Sequence, residues 1–235
     1  MATTLLVPGL DGGGVGHWLS WIETAVPNPR RVAQPDPKSM DLSEWSATVR
    51  WHIDRCEGPV WIIAHGFGCL AAVRAAFDFA DRIEGALLVT PFDPDNLRLA
   101  WLLPEEPLGF PAAIVASTND PHMRLSKAAF WAGFWSAEFI NAGRVGGLDA
   151  ASGFGPWPDG LAILDDLRRS PAVHMRQVGG RELAHPRRRH ARNRGGRVAH
   201  APQHPQRQGQ LALHQRRRPC EAEKPVSRTL EDSSH

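Results

Sequence analysis

The stretch Pro59-Val-Trp-Ile-Ile-Ala-His65-Gly66-Phe67-Gly68-Cys69-Leu70 has the form of a nucleophile-presenting turn without the nucleophile. Apolar residues, mostly β-branched or aromatic, run from Val60 to Ile63 and stop at a short glycine-rich turn. An alanine-rich segment of helical character, Leu70 to Ala80, follows at once. A sharp strand-to-helix turn of this kind holds a Ser, Cys or Asp side chain up to attack an acyl carbon, and the next backbone N–H receives the oxyanion. Gly66 stands where that side chain belongs. Acyl transfer by this route needs an oxygen or sulfur nucleophile and a base within hydrogen-bond reach of it. Glycine supplies neither.

Other reactive side chains do not obviously replace it. Cys69 falls one turn into the following helix and reads as a small apolar thiol packed behind a sheet. Ser152 has no visible base. His122 follows Asp120 and either approaches a pocket as a base or sits on a loop surface. The loop Gly9-Leu-Asp-Gly-Gly-Gly-Val-Gly16 leads to His17, Trp18 and Trp21, and its glycines permit a close backbone approach to a ligand oxygen. It is not a dinucleotide-binding loop, because no matching acidic residue ends a following strand. Cys56, Cys69 and Cys220 make neither a disulfide framework nor a zinc pattern, and the C-terminal histidines show no metal-ligand spacing. No cofactor and no metal are expected.

The elements that must position these groups alternate. Thr4–Val7 reads as a buried strand ended by Pro8-Gly9, and 30–34 as a second, edge strand. Asp41 and Glu44 mark a helix start, with Trp45, Val49 and Ile53 at helical spacing, ended by Gly58-Pro59. Apolar runs at 85–90, 111–117 and 137–140 supply further strands. Helices are expected over 125–135 and over 157–169, the latter with Leu161, Leu164 and Leu167 on one side. This alternation predicts an α/β fold, a parallel sheet of five or six strands flanked by helices on both faces, with no sizeable lid. Ligands of such sheets sit outside the carboxyl ends of the strands. Those ends are 8–16, 65–68, 91–94, 118–122 and 142–149.

The net charge of +2 conceals two halves. Residues 171–235 hold 14 Lys and Arg against 5 Asp and Glu, leaving 13 against 20 before them, and no Trp or Phe follows Trp157. We therefore read residues 1–175 as one folded domain and 176–235 as a basic Arg/His/Pro-rich tail, expected to be disordered for want of apolar surface. Its clusters at 186–190 and 216–219 would bind phosphate without sequence preference, but no aromatics are interleaved to stack on bases, which argues against nucleic acid as a partner. The abrupt change favours an out-of-frame translation over a solvated tail or a selected tether. No apolar run reaches 18 residues and no signal peptide is evident, so a cytoplasmic protein without a membrane anchor is expected.

Four blocks now stand in order: Leu6-Val-Pro-Gly-Leu with Gly16-His-Trp, Ala64-His65-x-x-Gly68-Cys69, Ser117-x-x-Asp120-Pro121, and Ala150-Ala-Ser-Gly-Phe-Gly-Pro-Trp157. Together, from about Thr4 to about Arg169, they resemble the small single-domain serine hydrolases related to retinoblastoma-binding protein nine and its bacterial relatives. The resemblance implies an α/β-hydrolase fold, a Ser, Asp, His triad in that chain order, and hydrolysis of an ester, thioester or amide of a small substrate. Residue by residue, it places the acid on Asp120, the nucleophile on Gly66 and the histidine on Gly147, with Asp149 where Asn is usual. It also places a histidine at His65 beside an intact triad, so His65 is read as structural.

The Phe67 amide, with one from Leu10 or Asp11, would form the oxyanion hole. Pocket candidates are His17, Trp18, His65 and His122. Loss of a triad Ser or His costs about 10⁶-fold in kcat in subtilisin, with roughly 10³–10⁴ over water surviving. The expectation is an inactive or severely impaired hydrolase whose pocket persists. The alternatives are a non-catalytic protein binding a small molecule or a protein, and a nucleic-acid tether acting through the tail. Restoring both side chains, Gly66→Ser with Gly147→His, is expected to restore esterase activity.

Overall fold

The computed structural model describes residues 1–169. The expected boundary at 175 and the expected disorder of the tail lie outside the described residues. Six strands form one sheet: β1 (Thr3–Val7), β2 (Pro29–Arg31), β3 (Val60–His65), β4 (Ile83–Val89), β5 (Ala112–Ala116) and β6 (Glu138–Asn141). They lie in the order β2-β1-β3-β4-β5-β6, and every pairing is parallel. The interior strands β1, β3 and β5 are buried at every position, as parallel strands covered on both faces must be. The edges are short. β2 has three residues rather than the five expected, ending at Arg31, and of the residues beyond it only Val32 is buried before the chain turns away at Pro35.

Side-chain alternation sorts the core into two layers. Leu5, Val7, Ile62, Ala64, Leu88 and Ile114 point to one face. There they meet α2 (Leu42–Asp54), α3 (Phe67–Phe77) and α4 (Leu125–Trp135). Leu6, Ile63, Leu87, Val89 and Val115 point to the other, against α1 (Trp18–Glu23) and α5 (Pro158–Arg169). The anticipated cap is present. The Asp41 carboxylate accepts from the Ser43 and Glu44 amides at 2.9 and 3.1 Å, and Trp45, Val49 and Ile53 are buried beneath. In α5, Leu164 and Leu167 are buried while Leu161 is only partly so.

Two elements depart from expectation. The helix after the glycine turn begins at Phe67, not Leu70, because the chain enters helical geometry directly after Gly66. Helix α1 was not anticipated at all. Six residues are too few for a periodic signal, and its start is set by an unusual cap, the His17 ring accepting the Leu19 amide at 3.0 Å.

From β1 the chain steps outward to β2, and from β3 it proceeds the opposite way across the sheet. The crevice between the carboxyl ends of β1 and β3 is thus a topological switch point, the usual ligand position in an open α/β sheet. Among the described residues no helix is long and apolar enough to cross a membrane.

Candidate functional site

The turn between β3 and α3 is strained at one residue. Gly66 adopts φ 54° and ψ −126°, a conformation that a side chain tolerates only under constraint, and α3 starts at the next position. The Phe67 amide is therefore the first of the helix, where backbone N–H groups lack intrahelical partners. Its side chain turns inward onto Trp45 of α2, with ring centroids 5.0 Å apart. Two residues on, α3 crosses the end of β1 so closely that a Cβ at Gly68 would stand 2.7 Å from Val7 O and nearer still to Pro8 O. That approach seats the turn directly against the loop after β1.

A cavity of about 260 Å³ opens above the turn. Gly66, Gly9 and Leu10 line it, so of the amides expected to receive an oxyanion that of Leu10 borders it, while that of Phe67 lies one residue beyond the lining. Thr90, Phe92 and His122 line it together with Asp11, His65, Gly147 and Asp149. Thr90 ends β4 at φ 43°, an outlying conformation for a β-branched residue. Its hydroxyl donates to the Gly147 carbonyl at 2.8 Å. Phe92 stacks on the His122 ring with centroids 4.0 Å apart.

His65 is buried, and its Nε2 lies 2.9 Å from the same Gly147 carbonyl, 82 residues away. A carbonyl only accepts, so in the neutral ring that nitrogen carries the proton and Nδ1 holds the lone pair. Nδ1 has no hydrogen-bond partner and lies 3.8 Å from Asp11 Oδ1, too far for one. Burial pushes the Asp11 carboxyl up, but the imidazoles of His17 and His65 outweigh it and hold the group well below the usual carboxylate range. Asp149 is held low too: burial raises it, and the Ser152 hydroxyl and amide, both donating to Oδ1, prevail.

Asp11, His17 and His65 place one ligand atom each within 4.8 Å of one another, a spacing that invites a metal. The tautomers argue otherwise. The Nδ1 of His17 accepts the Leu19 amide, so in the neutral ring its Nε2 carries the proton, 3.2 Å from Asp11 Oδ2 but without hydrogen-bond geometry to it. A ligating histidine does the reverse, donating from its distal nitrogen. Only Asp11 and His65 then remain as donors.

The other sequence candidates separate. His65, His122, Leu10, Gly66 and Gly147 meet at the cavity; His17 and Trp18 do not. Trp18 is fully buried on the helix side of the sheet, its indole donating to Leu148 O at 2.7 Å, and His17 is consumed by its cap and by Asp11. Both hold the loops that make the wall rather than forming the wall. Asp120 is not on the wall either; it accepts the His122 amide at 2.8 Å.

Burial raises the Asp120 pKa, only partly offset by that hydrogen bond. Ionising it therefore costs stability above its ordinary value near 3.9. Asp120→Asn keeps the acceptor and is expected to melt above wild type at pH 7, with the gain vanishing as pH falls toward 4. Thermal melts across that range check it, and a variant less stable at every pH would contradict it. Cys69 is fully buried; burial drives its thiol up, and it donates to Val89 O.

Sequence reasoning gave Thr90 and Phe92 no role, although the loop after β4 was marked as a strand end. It weighed Asp11 only for its backbone.

The sequence pattern of the serine hydrolase family matches residues 4–166. The chain belongs to that family. A YdeN-like hydrolase of Pectobacterium atrosepticum is 34% identical, with a TM-score of 0.68 over 72% of this chain and 91% of that one. The ydeN gene product of Bacillus subtilis is 18% identical, with a TM-score of 0.59 over 72% of this chain and all of its own. A hydrolase of the alpha/beta superfamily from Xanthomonas campestris is 16% identical, with a TM-score of 0.51 over 71% and 99%. No curated protein matches the sequence. The α/β-hydrolase fold expected from the sequence is thus the fold of this serine hydrolase family member.

Proposed function

We propose that this serine hydrolase family member binds a small molecule in the cavity above Gly66 and does not hydrolyse it at the rate of an intact triad. In this reading it is a relative of the retinoblastoma-binding protein nine group in which Gly66 occupies the nucleophile's place, Gly147 the histidine's, and Asp120 remains as the acid. The observation that carries it is the strained φ 54°, ψ −126° turn at Gly66, the geometry that lifts a nucleophile to a cavity, borne by a residue with no side chain.

Nothing nearby takes over. The Cys69 thiol points away into the core, and the Ser152 hydroxyl is bonded to Asp149 with no imidazole beside it. Leu10 still lines the cavity and the Phe67 amide follows directly on the lining residue Gly66, which supports persistence of a carbonyl- or oxyanion-binding corner after the chemistry is gone. A cytoplasmic setting fits the two described cysteines, both free and buried.

The test is exposure of the folded full-length chain to a fluorophosphonate probe and to p-nitrophenyl butyrate. No covalent labelling and no turnover above the uncatalysed rate by more than about 10⁴-fold are expected. Stoichiometric labelling, or turnover that thiol reagents abolish, would show a nucleophile other than those considered and sink the proposal.

A further inference from the structure

The cavity has a one-sided electrostatic character. Its charged wall residues are Asp11 and Asp149, both held ionised by their neighbours, and among the described residues no lysine or arginine borders it. Beside Asp11 lies His65 Nδ1, among the described residues the buried wall nitrogen without a partner; in the neutral ring, with Nε2 donating to Gly147 O, it carries the lone pair.

The space between these acceptors is open because residue 9 is glycine. A Cβ there would stand 3.1 Å from His65 Nδ1, 3.2 Å from His65 O and 3.5 Å from Asp11 Oδ1. Asp11 Oδ1 accepts one amide, that of Gly13 at 3.2 Å, and has a second lone pair to offer. One unpartnered nitrogen, one further carboxylate lone pair and the carboxylate's charge call for a group with several N–H donors and a positive charge. In the same lining, the ring of Phe92 offers an apolar surface for the body of such a ligand.

We propose that the ligand is a small primary ammonium compound with an apolar or aromatic body. It donates N–H to His65 Nδ1 and Asp11 Oδ1 and lays its body against Phe92. An anionic ligand would set its charge beside two carboxylates. Of the three clustered groups among the described residues, a metal ion would find only two donors, because the proton on His17 Nε2 removes the third. This inference rests on the reading of the cavity as a ligand site.

The experiment is titration calorimetry of the full chain, in phosphate buffer because Tris is itself a primary amine. The probes are benzylamine, benzyl alcohol, phenylacetate and zinc chloride. Benzylamine is expected to bind at least about ten-fold more tightly than the alcohol, from its charge-assisted bonds, and phenylacetate not measurably. Gly9→Ala, which fills the gap, and Asp149→Asn, which removes the second wall charge, are each expected to weaken benzylamine by a larger factor than the alcohol.

Equal or tighter binding of the alcohol or phenylacetate overturns the ammonium assignment while leaving the cavity a ligand site. Zinc binding that excludes benzylamine overturns it in favour of a metal centre. No binding by any probe also overturns it. Turnover of p-nitrophenyl butyrate in the same samples would overturn the underlying non-catalytic reading instead. Should Gly9→Ala fail to fold, Asp149→Asn alone decides whether the wall charge acts.

Discussion

The triple variant Gly66→Ser/Gly147→His/Asp149→Asn is expected to hydrolyse p-nitrophenyl butyrate on the order of 10³-fold faster than the wild-type chain, with either glycine replacement alone staying within about ten-fold of it. The non-additivity follows from the chemistry. A serine without a base stays protonated, and a base without a serine has nothing to activate, so removing one member costs about as much as removing the set. The gain falls short of a full triad for two structural reasons.

A Cβ at Gly66 would sit 3.3 Å from Phe92 Cε1, in a backbone conformation that costs a non-glycine residue roughly 1–3 kcal/mol. A Cβ at Gly147 would stand 2.9 Å from Asp149 Oδ2, so the Asp149 carboxylate occupies the space a histidine needs. Ser152 ties that carboxylate down through Oδ1. This refines the expectation from sequence, in which the two glycine replacements sufficed. The third change removes a charge that would otherwise draw the new imidazole away from Asp120. The comparison of the double and triple variants isolates that effect. A triple variant that folds and remains inert means that Gly66 and Gly147 are not the two catalytic positions.

Gly68→Ala is expected to destabilise the domain by about 3 kcal/mol or more. The added Cβ would meet Val7 O at 2.7 Å and Pro8 C at 3.0 Å. These are backbone atoms at the end of β1 and cannot swing aside as a side-chain terminus would. Relief requires moving α3 away from the sheet, and Phe67, Cys69, Leu70 and Val73 are all buried in the layer it fills. The same displacement would lower Gly66 away from the loop after β1 and open the cavity. Urea unfolding measures the loss. A midpoint unchanged from wild type would show that the contact between α3 and β1 is loose, and that something else holds the turn.

Much of this was legible because it is local. The apolar run at Val60–Ile63 ending in glycines specifies a buried strand and a turn regardless of the rest of the chain. Asp41 ahead of Trp45, Val49 and Ile53 specifies a capped amphipathic helix, and α4 has the expected bounds, Leu125–Trp135. The alternation of such segments leaves few arrangements other than a parallel sheet covered on both faces. Helix α1 was not legible, since a histidine cap and six residues leave no pattern. The placement of His17 and Trp18 was misleading: aromatic residues after a glycine-rich loop resemble pocket walls, yet Trp18 is spent on Leu148 O and His17 on Asp11.

The sequence by itself determined the order of elements, the membership of the strand-end loops and the glycine at the turn, because each depends on residue types within a few positions of one another. Only the tertiary structure decided what the cavity offers a ligand. His65 meets Gly147 across 82 residues, Asp149 fills the space left by the absent side chain at 147, and Asp11 faces a lone pair on a different strand end. Hydrogen-bond direction and charge balance depend on distances of a few ångströms between segments far apart in the chain, and those distances exist only once the sheet has brought its strand ends together.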